Sequence, residues 1–312
     1  MSHWRTLLPG EDCQSAPARW HYLERSTTGL FPDEPLMRLA VRSVSPHHAF
    51  GALEKEILSV QDKLNDVEFH TAHSLVSYFR AFLPQDYPIG QQVKQSHAAI
   101  SGVQSTRVTC WRWCPSCVTE NEARFGLAYF HRDHQLPAVF HCLVHGDVLV
   151  SGCHECGWHH YRLNEQSVPP KDNACPDCGA WLEAKPIAMT DTMQRIEAAS
   201  VRLAHSPIVP DRRLALVRRV RELAGVSTLE RNSVAERRLL GVWQKRFLTH
   251  FSEYELGTWF RNLNVHRGIL CHPMMRSPRL TQISSVAAHP HPLVYLLLED
   301  FLAVTPELAM HG

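Results

Sequence analysis

Along most of this chain the apolar residues recur every three or four positions, the period of a helix with one buried face, and extended alternation is scarce. In the N-terminal third, Leu36, Met37, Leu39 and Ala40 form one such stripe behind a candidate cap at Asp33. Phe50, Leu53, Ile57 and Leu58 form a second, in a helix over 46–58 opened by Ser45 with Pro46 at its first position. Leu75, Val76, Phe79 and Phe82 form a third, predicting a helix over 70–83. Residues 1–31 show little periodicity and are punctuated by Pro9, Gly10, Pro17 and Gly29, so they read as an irregular arm that Trp4 and Trp20 can anchor.

Toward the C-terminus the same period predicts helices over 191–204, 211–224, 234–251 and 291–304, with a short amphipathic turn over 254–260. In the second of these, Asp211 stands as the cap, Leu216, Val217, Val220 and Leu223 make the core stripe, and Arg212, Arg218, Arg219 and Arg221 flank it. Between residues 84 and 105, Pro88, Gly90, Gly102 and a run of Gln and Ser predict a linker. No internal repeat or low-complexity tract appears. The pattern divides the chain into an arm over 1–31, a helix-turn-helix-like module over 32–84, a central segment over 105–185 and a helical module over 190–304.

The central segment breaks the helical pattern with chemistry. Cys114-Pro-Ser-Cys117, Cys142-Leu-Val-His145, Cys153-His-Glu-Cys156 and Cys175-Pro-Asp-Cys178 are four pairs separated by two residues. That gap lets both side chains of a pair turn onto one ion, and two pairs complete a tetrahedral site. Taken in order, Cys114, Cys117, Cys142 and His145 make one site and Cys153, Cys156, Cys175 and Cys178 another, giving two Zn2+ per chain; an interleaved pairing is the alternative. Gly146, Gly157 and Gly179 directly follow three of the pairs, where a backbone turning over a metal needs positive φ. The fold class is therefore mostly α with a small zinc-ribbon β domain, a double ribbon set between two helical modules.

Disulfides are the competing use of paired cysteines. Arg5, Glu11, Asp12, Arg19, Glu24 and Arg25 leave no apolar leader in the first thirty residues, and a reducing compartment keeps thiols available for metal. Cys13 and Cys271 read as small buried apolar residues, and Cys110 as a weaker competitor for the first ion. An open catalytic zinc would have three protein ligands and a water, and neither H-E-x-x-H nor the deaminase pattern H-x-E with P-C-x-x-C is present. With no nucleophile–base pair or phosphate loop legible either, the expectation is a protein that is not an enzyme.

The run Arg112-Trp113-Cys114-Pro115-Ser116-Cys117, followed by Tyr129-Phe130-His131-Arg132-Asp133-His134-Gln135-Leu136-Pro137 and Cys142-Leu143-Val144-His145-Gly146, resembles the signature of TniQ/TnsD-family transposition proteins. The likeness is specific over about 105–185, and a weaker echo, His289-Pro-His-Pro292 before 293–301, lies near the end. What the resemblance implies is target-site selection for a transposon by handing a DNA site to the AAA+ regulator TnsC. In family members tied to CRISPR systems the target is held by an RNA-guided effector such as Cascade, and the adaptor is a homodimer working in the bacterial cytoplasm at the nucleoid. The alternative is a TnsD-like selector that reads a fixed attachment site itself.

Charge bears on that choice. The net charge of +1 conceals fifteen Arg or Lys against six Asp or Glu over 201–280, leaving 17 against 25 elsewhere. Arg212, Arg213, Arg218 and Arg219 are thus the candidate nucleic-acid contacts, although arginine-rich helices are common without nucleic acid. The helix over 46–58 carries Glu54 and Glu56 beside Lys55, which favours protein docking over phosphate contact. Tyr129, Arg132, His134 and Gln135 are candidate partner contacts and equally candidate locks between the zinc ribbon and its helix.

Overall fold

A computed structural model describes residues 6–28, 52–59, 61, 64–83, 100–101, 106–160, 167–226, 232–282 and 289–305. It is mostly helical, and the chain divides into two compact units. The first holds Met1–Ser77, Val108–Ala188 and Ala204–Pro207; the second holds Tyr78–Arg107, Met189–Leu203 and Ile208–Gly312. None of the described helices is long and apolar enough to cross a membrane.

In the first unit the N-terminal segment is ordered, contrary to the arm that its turn residues predict. Asp12 accepts from Gln14 N through Oδ1 at 2.9 Å and from Ser15 through its carbonyl, and this turn launches helix α1, Ala16–Thr28. Pro17 reads as a breaker in sequence, yet in a first turn its missing N–H costs nothing. Arg19 closes the arrangement by donating to both oxygens of fully buried Glu11, at 2.6 and 2.9 Å. Ala18 packs into a core with Trp111, Trp113, Val118, Phe130 and Val150, while Ala16 and Trp20 join Cys13, Ile57 and Phe69 in a second.

Ile57 lies on α2, Ala52–Ser59; the helix expected after Asp33 and the first half of the one over 46–58 lie outside the described residues. The single helix expected over 70–83 is two short ones, α3, Asp66–Ala72, and α4, Val76–Arg80. Asn65 and Glu68 open α3 as a reciprocal capping box. Ser74 ends the run: its hydroxyl donates to His70 O at 3.2 Å and accepts from Val76 N at 3.3 Å, so one serine closes a helix and starts the next. Helix α5, Pro115–Phe125, ends at Gly126 in the left-handed region.

The second unit contains most of α6, Asp191–His205, then α7, Arg212–Leu223, α8, Val234–Leu248, α9, Glu253–Trp259, and α10, Pro292–Val304. All but one fall where the hydrophobic period puts them within about three residues, and α9 replaces the amphipathic turn. Asp211 does not cap α7 through its side chain; it sits at φ 59 and makes no such bond. Helix α10 is buried on nearly every side from Pro292 to Leu298, so it is the centre of this unit, with Phe301 against Trp243 and Phe247 and Tyr295 stacked on Phe82 at 4.6 Å. Strand β1, Ile100–Ser101, pairs in parallel with β4, His289–Pro290. Strands β2, Asn264–His266, and β3, Ile269–Cys271, form a hairpin whose two-residue turn, Arg267 and Gly268, has positive φ at both positions. Three-residue strands leave no alternation to read, which is why this hairpin is not expected from sequence.

Candidate metal centres

Four backbone pieces, two to each centre, are shaped by chain-local hydrogen bonds. Around Cys142, the Cys142 N–H bonds Asp147 O and the Gly146 N–H returns to Cys142 O, both at 2.8 Å. Cys153, Gly157 and Trp158 repeat the pattern at 2.7 and 3.1 Å, and Cys175, Gly179 and Ala180 repeat it at 2.8 and 2.9 Å. In all three the glycine has φ between 73° and 77°, a conformation that strains any side-chain-bearing residue. The fourth piece is different: Cys114 is the N-cap of α5, accepting from Cys117 N at 3.4 Å, and Pro115 occupies the position where a missing N–H does no harm.

These pieces meet in the sequential pairing. Cys114, Cys117, Cys142 and His145 form one group and Cys153, Cys156, Cys175 and Cys178 the other, with the ligand atoms of each within 4.8 Å of one another. Cys117 and Cys142 sulfurs are 3.6 Å apart, and His145 Nδ1 is 3.3 to 3.6 Å from all three sulfurs of its group. In the second group Cys153 to Cys178 and Cys156 to Cys175 are each 3.6 Å. A tetrahedron with Zn–S bonds of about 2.3 Å has edges of about 3.8 Å, so the donor sets fit the ion. Each group can bind one zinc. Cys110 stays outside, donating to Ser151 O at 3.4 Å. Cys13 and Cys271 are buried, as expected of small apolar residues.

The electrostatics of the first group fit a cation. Hydrogen bonds from the Cys114 and Cys117 thiols, joined by one from His134, push Cys142 far below the ordinary thiol range, while the bonds Cys114 makes with Cys117 and Cys142 push it far above. A divalent ion bound among these sulfurs would let all of them deprotonate. Asp147 also approaches, its Oδ2 3.1 Å from Cys114 Sγ and 3.3 Å from Ser116 N, and the Ser116 bonds hold its carboxyl below the usual range. In the second group the Cys156 backbone N–H holds the Cys153 thiol down to about 7.

The segment after α5 sits behind the first centre. Tyr129, Arg132, His134 and Gln135 are all buried. Gln135 spans the chain that delivers Cys114, accepting from Arg112 N at 3.1 Å and donating to Arg112 O at 2.8 Å. Arg112 in turn donates to Val139 O and Leu136 O at 2.7 and 2.8 Å. Tyr129 donates to Pro9 O at 2.9 Å. Arg132 donates to Thr71 O at the end of α3, to Ala204 O at 3.2 Å near the end of α6, and to Asp133 at 2.9 Å. Burial works against the Asp133 carboxylate, yet bonds from His205 and Arg132 hold it down to about 2. Tyr129, Arg132 and Gln135 thus each tie separate stretches of backbone together.

The four arginines of α7 that sequence offers as nucleic-acid contacts separate. Arg212 makes a two-pronged pair with Glu299 at 2.9 Å and lies 5.1 Å over the Phe82 ring; Arg213 is buried and donates to Arg279 O and Gln282 O. Arg218 and Arg219 are exposed, the latter 3.5 Å from Glu222. Sequence reading overlooks α8, which exposes Arg237, Arg238, Lys245 and Arg246; the signal was present as two basic pairs eight residues apart.

No curated protein matches the chain. Residues 6–149 match the TniQ family model, a stretch that takes in α1 to α5 and the whole first metal centre, and over that stretch the chain is similar to TniQ proteins.

Proposed function

We propose that the chain is a non-enzymatic adaptor for transposition, linking a target-bound RNA-guided effector of the Cascade kind to the AAA+ regulator TnsC, and acting as a homodimer. The observation that carries this reading is the TniQ match over 6–149, laid on a unit whose metal groups have four protein donors each and so leave no open position for chemistry. Closed sites of that kind stabilise a fold and shape a docking surface. The zinc-adjacent residues Tyr129, Arg132, His134 and Gln135 serve that surface indirectly, by fixing the backbone behind it.

The second reading, a selector that recognises a fixed attachment site, is favoured by the exposed cations Arg218, Arg219, Arg238, Lys245 and Arg246 in the second unit. Duplex binding separates the two. An adaptor binds naked DNA through phosphate contacts alone, with a constant on the order of 10⁻⁴ to 10⁻⁶ M at physiological salt and a steep salt dependence. A selector prefers one duplex by about 10³-fold or more, because base contacts add to that contribution. A salt-controlled mobility-shift series on random and host-derived duplexes reads the difference.

A further inference from the structure

The two metal groups have the same donor geometry and different surroundings. In the first, three of the four ligands are buried, and His145, which gives Nδ1 to the group, has its other ring nitrogen 3.3 Å from Glu120 Oε2. Glu120 stands on α5, the helix that Cys114 caps and that carries Cys117 in its first turn, so the helix that supplies two thiolates also places a carboxylate beside the imidazole. An N–H held by a carboxylate fixes the tautomer that leaves Nδ1 free for metal and raises its basicity. Cys142 accepts a hydrogen bond from buried His134. Behind it, His134 lies 5.0 Å from the His131 ring, which bonds Asn121 at 2.9 Å.

In the second group Cys156 and Cys178 are exposed. The hydrogen bonds to its thiols come from the backbone N–H groups of Glu155, Cys156, Trp158 and Ala180 and from the thiols themselves. Water and chelators reach this centre through its own ligands.

We propose that Glu120 is a positioning residue for the first zinc, acting through His145, and that the two centres therefore release metal in order, the second first and the first retained. This inference holds whichever partner the chain serves, since it concerns only the chain and its metal.

The test is zinc transfer from the purified full-length chain to the chromogenic chelator 4-(2-pyridylazo)resorcinol, with N-ethylmaleimide labelling mapped by mass spectrometry through the time course. The expected result is two phases of one zinc each, with label on Cys153, Cys156, Cys175 and Cys178 during the fast one. Glu120→Ala, at a side chain 61% exposed, then speeds the slow phase about tenfold to a hundredfold and leaves the fast phase alone. Glu120→Gln, whose amide oxygen can accept from Nε2–H but carries no charge, gives a rate between those of Glu120→Ala and wild type. Release in a single phase, early labelling of Cys114, Cys117 and Cys142, or a slow phase indifferent to Glu120→Ala would overturn the proposal.

Discussion

At the scale of single residues, the physical stakes are highest where a charge is buried. The Arg132 guanidinium is 1% exposed and is shared among Thr71 O, Ala204 O and Asp133. Truncating it leaves the Asp133 carboxylate with His205 alone and takes the donor from two helix-end carbonyls, and removing one partner of a buried pair costs about 3 to 5 kcal/mol. Arg132→Ala should therefore lower the urea midpoint sharply, and Arg132→Lys should rescue little, because one ammonium cannot reach three acceptors set in a planar fork. An Arg132→Ala midpoint within error of wild type would show that these bonds are incidental. The metal ligands set a steeper threshold. Structural zinc contributes folding energy on the order of 10 kcal/mol, so Cys114→Ser and Cys178→Ser should each yield aggregated or protease-sensitive protein. Elemental analysis should find two zincs per wild-type chain; a value near one, or a Cys178→Ser protein that melts like wild type, would refute the two-centre assignment.

Elements show which sequence signals survive folding. The ligand spacing and the glycines at Gly146, Gly157 and Gly179 are fully legible, because each knuckle is closed by hydrogen bonds within six residues. Helices α6, α7 and α8 are legible because one long apolar stripe decides each, and α10 because its apolar run is nearly unbroken. Helix α1 is not: Pro17 and the polar residues around it read as breakers, while the burial of Ala16, Ala18 and Trp20 and the Arg19–Glu11 pair that stabilise it depend on tertiary packing. The break at Ser74 rests on a hydroxyl that bonds both ways, which periodicity does not register. The tertiary use of Arg212 and Arg213 is equally invisible, since Glu299 and Gln282 lie some seventy to ninety residues away in sequence. One element also carries a pH dependence. His291 caps α10 by accepting from Leu293 N at 3.1 Å, and burial pushes its pKa down from 6.5 to about 3; burial also pushes His272 down to about 4. Both stay neutral in the fold while the unfolded chain takes up protons below 6.5. Stability should thus be level above about pH 7 and fall as pH drops from 6.5 toward 4, by about 1 kcal/mol per histidine over the first pH unit. Thermal melts from pH 7.5 to 5 measure it, and His291→Asn, which keeps a capping acceptor, should flatten the decline. An unchanged slope in that variant would contradict the assignment.

For the whole molecule the decisive feature is that metal chemistry and basic charge fall in different units. Both candidate zinc centres lie in the first unit, with the TniQ match covering one of them, whereas the cations of α7 and α8 belong to the second. Replacing Arg238, Lys245 and Arg246 together by Ala should weaken nonspecific duplex binding and lower its salt slope by up to about 3, at little cost in folding, because all three side chains are exposed. The adaptor reading makes the chain a bridge between two assemblies. Its most direct test is a pull-down of tagged TnsC in the presence of target DNA, guide-loaded effector and this chain, each omitted in turn. The adaptor account predicts that effector is retained only when this chain is present. Retention of the effector without it, or tight binding of this chain to one duplex with no effector, would contradict the account.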